Sequence, residues 1–455
     1  MNIKLTSRKW DNQNILMCGF PTIHLQKHLK TLVQQNNRFV ALCEEFPRPV
    51  PPGTRPSYDR RVVRIVTPGT LIDEPFLNHH ENNYLLAISP DASPSLTECD
   101  DLGLAWIDVS TGEFFTKCTT AESLYGDIVR IRPREVVLPR NMESVDSCPI
   151  RATVHGEGAV ISYFDIIAPV HLPSLAQPVV ASDGILANTG DSATSFLSSQ
   201  ESSAVSLLTG YLRSNLLEYM PSLSVPSMEA AEAHMEIDAH TLKSLEIREG
   251  VQGGGATGTL LSCVKRTMTS GGTRLLSRWL CGSPSYTKTL FKADSKFAGS
   301  PSTSLSEINA RQSLVSFFYA RPHLRRDLRD RLRGIEDVTR TVQKFLLGRG
   351  NSSDVVAIGM AISTWSLMKR RISLERELQW KEGDSSLERE WASIDAVISR
   401  MEELPSLERK IQASMDGTQI GPENSPEMSE GAVISRESSA EDKWQNGYRW
   451  SINPE

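Results

Sequence analysis

Up to about residue 180, hydrophobic residues fall in short runs broken by turn residues, the spacing of strands; beyond residue 205 they recur at steps of three and four, the spacing of helices. Phe39 to Cys43 and Val62 to Val66 read as strands, the second closed by Thr67-Pro68-Gly69-Thr70, with a Pro-rich loop from Pro47 to Pro56 between them. Leu25, Leu29, Leu32 and Val33 share one helical face. Tyr84 to Ile88, Leu104 to Val109 and Glu135 to Pro139 are strand-like, and Ser110-Thr111-Gly112-Glu113 turns the second into Phe114-Phe115 as a hairpin. Ala121 to Ile131 reads as a helix, and the Ser/Thr/Gly-rich stretch 183–206 as a linker.

The later pattern predicts helices. Leu207, Leu208, Tyr211, Leu212 and Leu216 form one face. Leu324, Leu328, Leu332, Ile335, Val338, Val342 and Phe345 form another, on a single amphipathic helix bent at Gly334. Further helical stretches cover 354–371 and 386–414, and the acidic segment 416–445 lacks any period and reads as a mobile loop. The fold class is multidomain α/β plus all-α.

Composition bounds the function classes. The 455 residues are ordinary for globular domains, and they contain no long uncharged apolar run of the kind that spans a membrane. The amino terminus shows neither a secretory nor a transit pattern. Seven cysteines, scattered and without a CxxC pair, point to a reduced compartment rather than a zinc ribbon or disulfide framework. His24 and His28 have the spacing of two metal ligands but lack the glutamate of a metallohydrolase helix. Charge changes the picture more. Residues 1–70 hold eleven Lys/Arg against four Asp/Glu, a balance of +7 within a chain of net charge −6. An anionic partner for this part alone is one reading and a solvated basic face the other.

Three segments carry a resemblance. The first runs from Met17-Cys18-Gly19-Phe20-Pro21 through Ala41-Leu42-Cys43-Glu44-Glu45 to Arg61-Val62-Val63-Arg64-Ile65-Val66-Thr67-Pro68-Gly69-Thr70. The second is Gly103 to Phe114; the third holds Leu245-Glu246-Ile247, Gly258-Thr259-Leu260-Leu261 and Thr267 to Leu280. In this order and spacing they resemble the MutS family of mismatch-recognition ATPases over nearly the whole chain. The resemblance implies a partial mixed α/β mismatch-binding domain (1–80), an RNase H-like α/β connector (81–182), the linker 183–206, a helical core and lever (207–415), and a flexible loop opening the clamp region (416–455). It implies double-stranded DNA with mispairs as the partner, a homo- or heterodimer in the full-length protein, and no membrane. Arg8, Lys9, Arg60, Arg61 and Arg64 fall where the family meets the sugar-phosphate backbone, Arg61 and Arg64 with a loop-supporting role as the alternative. The Ala-Leu-Cys-Glu-Glu stretch resembles bacterial and organellar members, which implies a mitochondrial location, with the nucleus as the alternative.

The departures are as informative. None of the thirteen Phe is followed two residues later by Glu, so the family's Phe-x-Glu wedge is not in this sequence. No Gly is followed by Lys, so no Walker A is present; the ATP and Mg of the full-length family have no site here, and the chain alone is expected to be catalytically inactive. The family pattern places these parts outside the chain, which therefore reads as partial. Gly282-Ser283-Pro284-Ser285 recurs as Gly299-Ser300-Pro301-Ser302, marking residues 286–302 as an insert. Two other classes stay open: an RNase H-like nuclease using Asp108 as a metal ligand, and an interaction module without DNA chemistry.

Overall fold

The computed structural model describes residues 3–10, 13–48, 57–72, 77–90, 101–144, 149–165, 197–221, 223–228, 237–250, 255–282, 301–381, 387–399 and 403–416. The insert near 286–302, the loop 416–445, Gly253-Gly254 and most of the Pro47–Pro56 loop lie outside them almost entirely.

The first module is two antiparallel ribbons. β1 (Leu5–Trp10) pairs with β2 (Gln13–Cys18), and β3 (Val40–Pro47) with β4 (Tyr58–Val66) across a register shift at Leu42/Cys43. Between them α1 (Leu25–Leu29) runs on into a wider turn of helix, Lys30–Gln35. Leu29 and Val33 pack with Val66, Leu71 and Leu77, with Leu25 beside them, so the predicted helical face is buried.

The second module is a six-stranded mixed sheet in the order β10-β7-β6-β5-β8-β9. Its meander is β5 (Tyr84–Pro90), β6 (Asp101–Asp108) and β7 (Glu113–Thr120); β8 (Glu135–Pro139) and β9 (Val160–Phe164) run parallel to β5, and the short β10 (Ser227–Met228) runs parallel to β7. This is the mixed α/β architecture the resemblance implied. β5 is buried on both faces, which is why it reads as a continuous hydrophobic run. Leu86, Ile88, Leu104 and Trp106 pack under α2 (Leu124–Ile131) and α3 (Pro149–Gly156). Leu85, Ala87, Ala105 and Ile107 pack under α4 (Ser199–Leu216).

Helix α4 corrects the expected linker. It begins at Ser199, not after residue 206, because Ser198 and Glu201 form a reciprocal capping box: Glu201 N–H donates to Ser198 Oγ at 3.1 Å, and Ser198 N–H to Glu201 Oε2 at 3.0 Å. Two orphan amides are satisfied at once, and Ala204, Val205, Leu207 and Leu208 go straight into the core.

The helical part holds α5 (Ala239–Ser244), α6 (Leu260–Val264), α7 (Ser270–Leu280), α8 (Leu305–Ala320), α9 (Pro322–Arg333), α10 (Val338–Leu346), α11 (Ser352–Lys381), α12 (Leu387–Ile398) and α13 (Pro405–Asp416). The helix expected to bend at Gly334 is two helices. α9 stops at Arg333, and Asp337 starts α10 as its N-cap. Phe317, Leu324, Leu328, Met368, Ile372, Trp391 and Ile394 form this part's core, with Trp365 against it.

Two paired carboxylates, Asp127 buried and Asp337 half-buried, contribute to the acid sensitivity of the fold. Asp127 takes Lys117 Nζ at 2.7 Å, Arg130 Nη2 at 2.8 Å and Thr119 Oγ1 at 2.7 Å. Burial opposes its charge, but Arg130 and Lys117 outweigh burial and hold its carboxyl below the ordinary range. Asp337 is likewise lowered, burial again opposing and Arg274 prevailing. A depressed folded pKa adds stability above the unfolded value, and that stability is lost as pH falls through the folded one. Urea midpoints are therefore expected to drop below about pH 4, with Asp127→Asn flattening part of the drop. Equal acid slopes for the two proteins would contradict this.

Candidate nucleic-acid interface

Strand alternation sends Arg8 and Lys9 of β1 to opposite faces of the first ribbon. Both are exposed, and neither makes an ion pair among the described residues. Their cross-strand partners are Ile15 and Asn14, and the bond from Thr6 Oγ1 to the Met17 carbonyl, 2.9 Å, fixes the register.

The second ribbon treats its three arginines differently. Arg60, 68% exposed, lies across from Glu45 and reaches it at 2.6 Å. An exposed pair of this kind contributes little to stability, so Arg60 can exchange the carboxylate for a phosphate at small cost. Arg61 is exposed and lies over the Phe46 ring, 4.1 Å from its centroid, and so braces the ribbon. Arg64 departs from the phosphate-contact expectation. It is only 4% exposed and faces the Tyr219 ring at 5.9 Å, because β4 enters the interior there, beside the end of α4. Its burial favours the alternative reading, support of the loop. Lys4, Lys27, Lys30 and Arg38 add exposed charge to the module.

His24 and His28 place their rings 6.5 Å apart edge to face, with Phe20 against His28 at 4.4 Å. No group of three or more His, Cys, Asp or Glu among the described residues is placed to hold a metal. Asp108 is fully buried, and its carboxylate accepts four hydrogen bonds: from Ser110 N–H (3.0 Å), Ser110 Oγ (2.6 Å), Asn83 N–H (3.1 Å) and Asn82 Nδ2 (3.1 Å). Its carbonyl closes the turn on Gly112 N–H at 2.8 Å, where φ of 75° needs glycine. With its acceptors taken up by protein donors, Asp108 organises the β6–β7 corner rather than a metal centre.

In the arginine-dense helix α9, Asp330 pairs with Arg333 at i+3, and Asp327 pairs with Arg371 of α11 at 2.9 Å. The residues that reasoning from sequence missed are Arg274, Arg278 and Arg340, buried where the modules meet. Two of them lie inside the third motif; their role had no local signal.

The fold and surface together define a class: a multidomain protein of basic β-ribbons, a mixed α/β sheet and a helical part. Three family models match in chain order: MutS domain I over residues 1–75, MutS domain II over 83–167 and MutS domain III over 240–443. Similar proteins include the DNA mismatch repair protein MutS of Rhizobium meliloti (strain 1021), 33% identical over 428 residues, which covers 90% of this chain and 42% of that protein. The MutS proteins of Dinoroseobacter shibae (32% identical) and Rhodopseudomonas palustris strain HaA2 (33% identical) each match 79% of this chain, over 37% and 36% of their own lengths. The chain belongs to the MutS family. It spans less than half the length of these relatives.

Proposed function

We propose that this chain binds mismatch-bearing duplex DNA as the recognition and lever part of a mismatch-repair sensor. The observation that carries the reading is the pair of exposed cations Arg8 and Lys9 on a ribbon, without an acidic partner among the described residues, with Arg60 on the next. Cations of this kind hold phosphates and fix register without reading sequence. Specificity then comes from deformability: a mispair stacks poorly, so bending there costs less than bending paired DNA by a few kcal/mol. Without a Phe-x-Glu in its sequence, the chain alone prefers a mispair only a few-fold. Without a Gly-Lys it turns over no ATP.

Phosphate contacts release counterions, so affinity should fall steeply with salt. Titrating a labelled mispair-bearing duplex against wild type and against Arg8→Ala/Lys9→Ala/Arg60→Ala is the test. The variant is expected to bind about tenfold or more weakly at low salt, with the log–log salt slope reduced by about two to three. Salt-independent capture by the wild type, or equal slopes, would overturn the proposal.

A further inference from the structure

Helix α7 sits where the modules meet, and its polar side chains are committed in several directions. Arg274, 5% exposed, makes a two-pronged pair with Asp337, the N-cap of α10, with Nη2 to Oδ1 at 2.9 Å. Its Nη1 also donates to the His79 carbonyl at 2.9 Å. One turn on, Arg278 pairs with Glu113 at the start of β7, 3.1 Å away. From α10, Arg340 donates to the carbonyls of Asn78 (3.1 Å) and Glu81 (2.8 Å). Three carbonyls of one short segment are therefore held by two buried guanidiniums of the helical part.

That segment joins the ribbon module to the sheet. Asn83 Nδ2 donates to the Pro68 carbonyl (3.0 Å) in the turn that closes β4, and Asn82 reaches Asp108 and Glu113. Asn78, Glu81, Asn82 and Asn83 also line a polar cavity of about 680 Å³ shared with Lys30 and Arg134. Leu71 and Leu77 bring apolar packing up to the edge of that cavity, and from residue 78 on directed hydrogen bonds hold the joint. Burying a guanidinium is unfavourable unless its charge is paired and its donors used, so the segment's carbonyls add to what holds the two arginines in place.

We propose that Arg274, Asp337 and Arg340 are positioning residues. They lock the 78–83 joint onto the helical part, and so set where the ribbon cations stand. The clamp targets main-chain carbonyls, so it fixes position without constraining the joint's side chains. The DNA arm of the test rests on the duplex-binding reading above; the exchange arm does not.

The test uses the full chain with Asp337→Asn and Arg340→Met. Without DNA, exchange of the Glu81 and Asn83 amides is expected to rise about tenfold, while the amides of Leu85 to Ile88 stay protected. Duplex affinity is expected to fall about fivefold with an unchanged salt slope, because geometry is lost and no phosphate contact is. Unchanged exchange at the joint in a folded variant would overturn the proposal, as would a slope that falls with affinity. If Arg340→Met fails to fold, Arg340→Lys, which keeps the charge but one reach, must give a smaller rise at Glu81; no rise would count against the clamp. A wild type that captures no duplex would sink the functional reading alone, since joint exchange still decides the positioning claim.

Discussion

A single methyl group added at Gly103 is expected to remove about 3 kcal/mol or more of stability. Gly103 lies in β6, inside the sheet, and the first turn of α4 crosses directly over it. A Cβ there would stand 2.0 Å from the Gln200 carbonyl oxygen and 2.2 Å from its carbon. The obstacle is main chain, so no rotamer change relieves it; the helix must back away from the strand. Backing away opens the contact of Ala204, Val205 and Leu208 with Ala87, Ala105 and Ile107, so the cost extends along that face of the core. Gly126→Ala is the control. Position 126 is in α2 with nothing within 4 Å of the added atom, and alanine there is expected to be neutral or stabilising by up to about 1 kcal/mol. Urea unfolding of both variants decides it: a Gly103→Ala midpoint close to wild type would mean that α4 does not lie on the sheet as described.

That contact also shows how far the sequence carries the fold. β8 was legible to the residue, because Val136 to Leu138 is an apolar run between Glu135 and Pro139. The start of α4 was not, because its serines resemble a linker by composition; the one local signal, Ser198 and Glu201 three apart, was passed over. The exposure of Arg8 and Lys9 agrees with where the resemblance put them, on a strand open to solvent. Arg64 departs from it. Its own strand shows a regular alternation with Arg60 and Val62, and the cover over it comes from Tyr219, far along the chain. The same holds for Arg274 and Arg340, whose carbonyl partners are 195 and 262 residues away. Local pattern fixes which face a residue belongs to, and long-range packing decides whether that face meets solvent or another module.

Glu135 is where the ribbon turn, the sheet and α4 are joined, and Glu135→Ala is expected to destabilise the protein by about 4 kcal/mol. The residue is fully buried, and three donors converge on its carboxylate: Gly69 N–H at 2.8 Å, Ser162 Oγ at 2.6 Å and the Tyr211 hydroxyl. Burial, followed by the negative charge of Glu135, pushes the Tyr211 hydroxyl up, so it stays protonated and donates. Truncating the carboxylate leaves three buried donors without an acceptor, each costing about 1–3 kcal/mol, partly relieved by local relaxation. Glu135→Gln keeps one acceptor but turns an amide donor toward other donors, for an expected loss of about 2 kcal/mol. Tyr211→Phe removes a donor together with its bond and leaves two donors on the carboxylate, for about 1 kcal/mol. The ranking is the substance of the prediction, because it separates an acceptor hub from a set of independent bonds. If urea unfolding gave Tyr211→Phe the same loss as Glu135→Ala, the carboxylate would be one bond among several, and the Gly69 turn would be held to the sheet by packing alone.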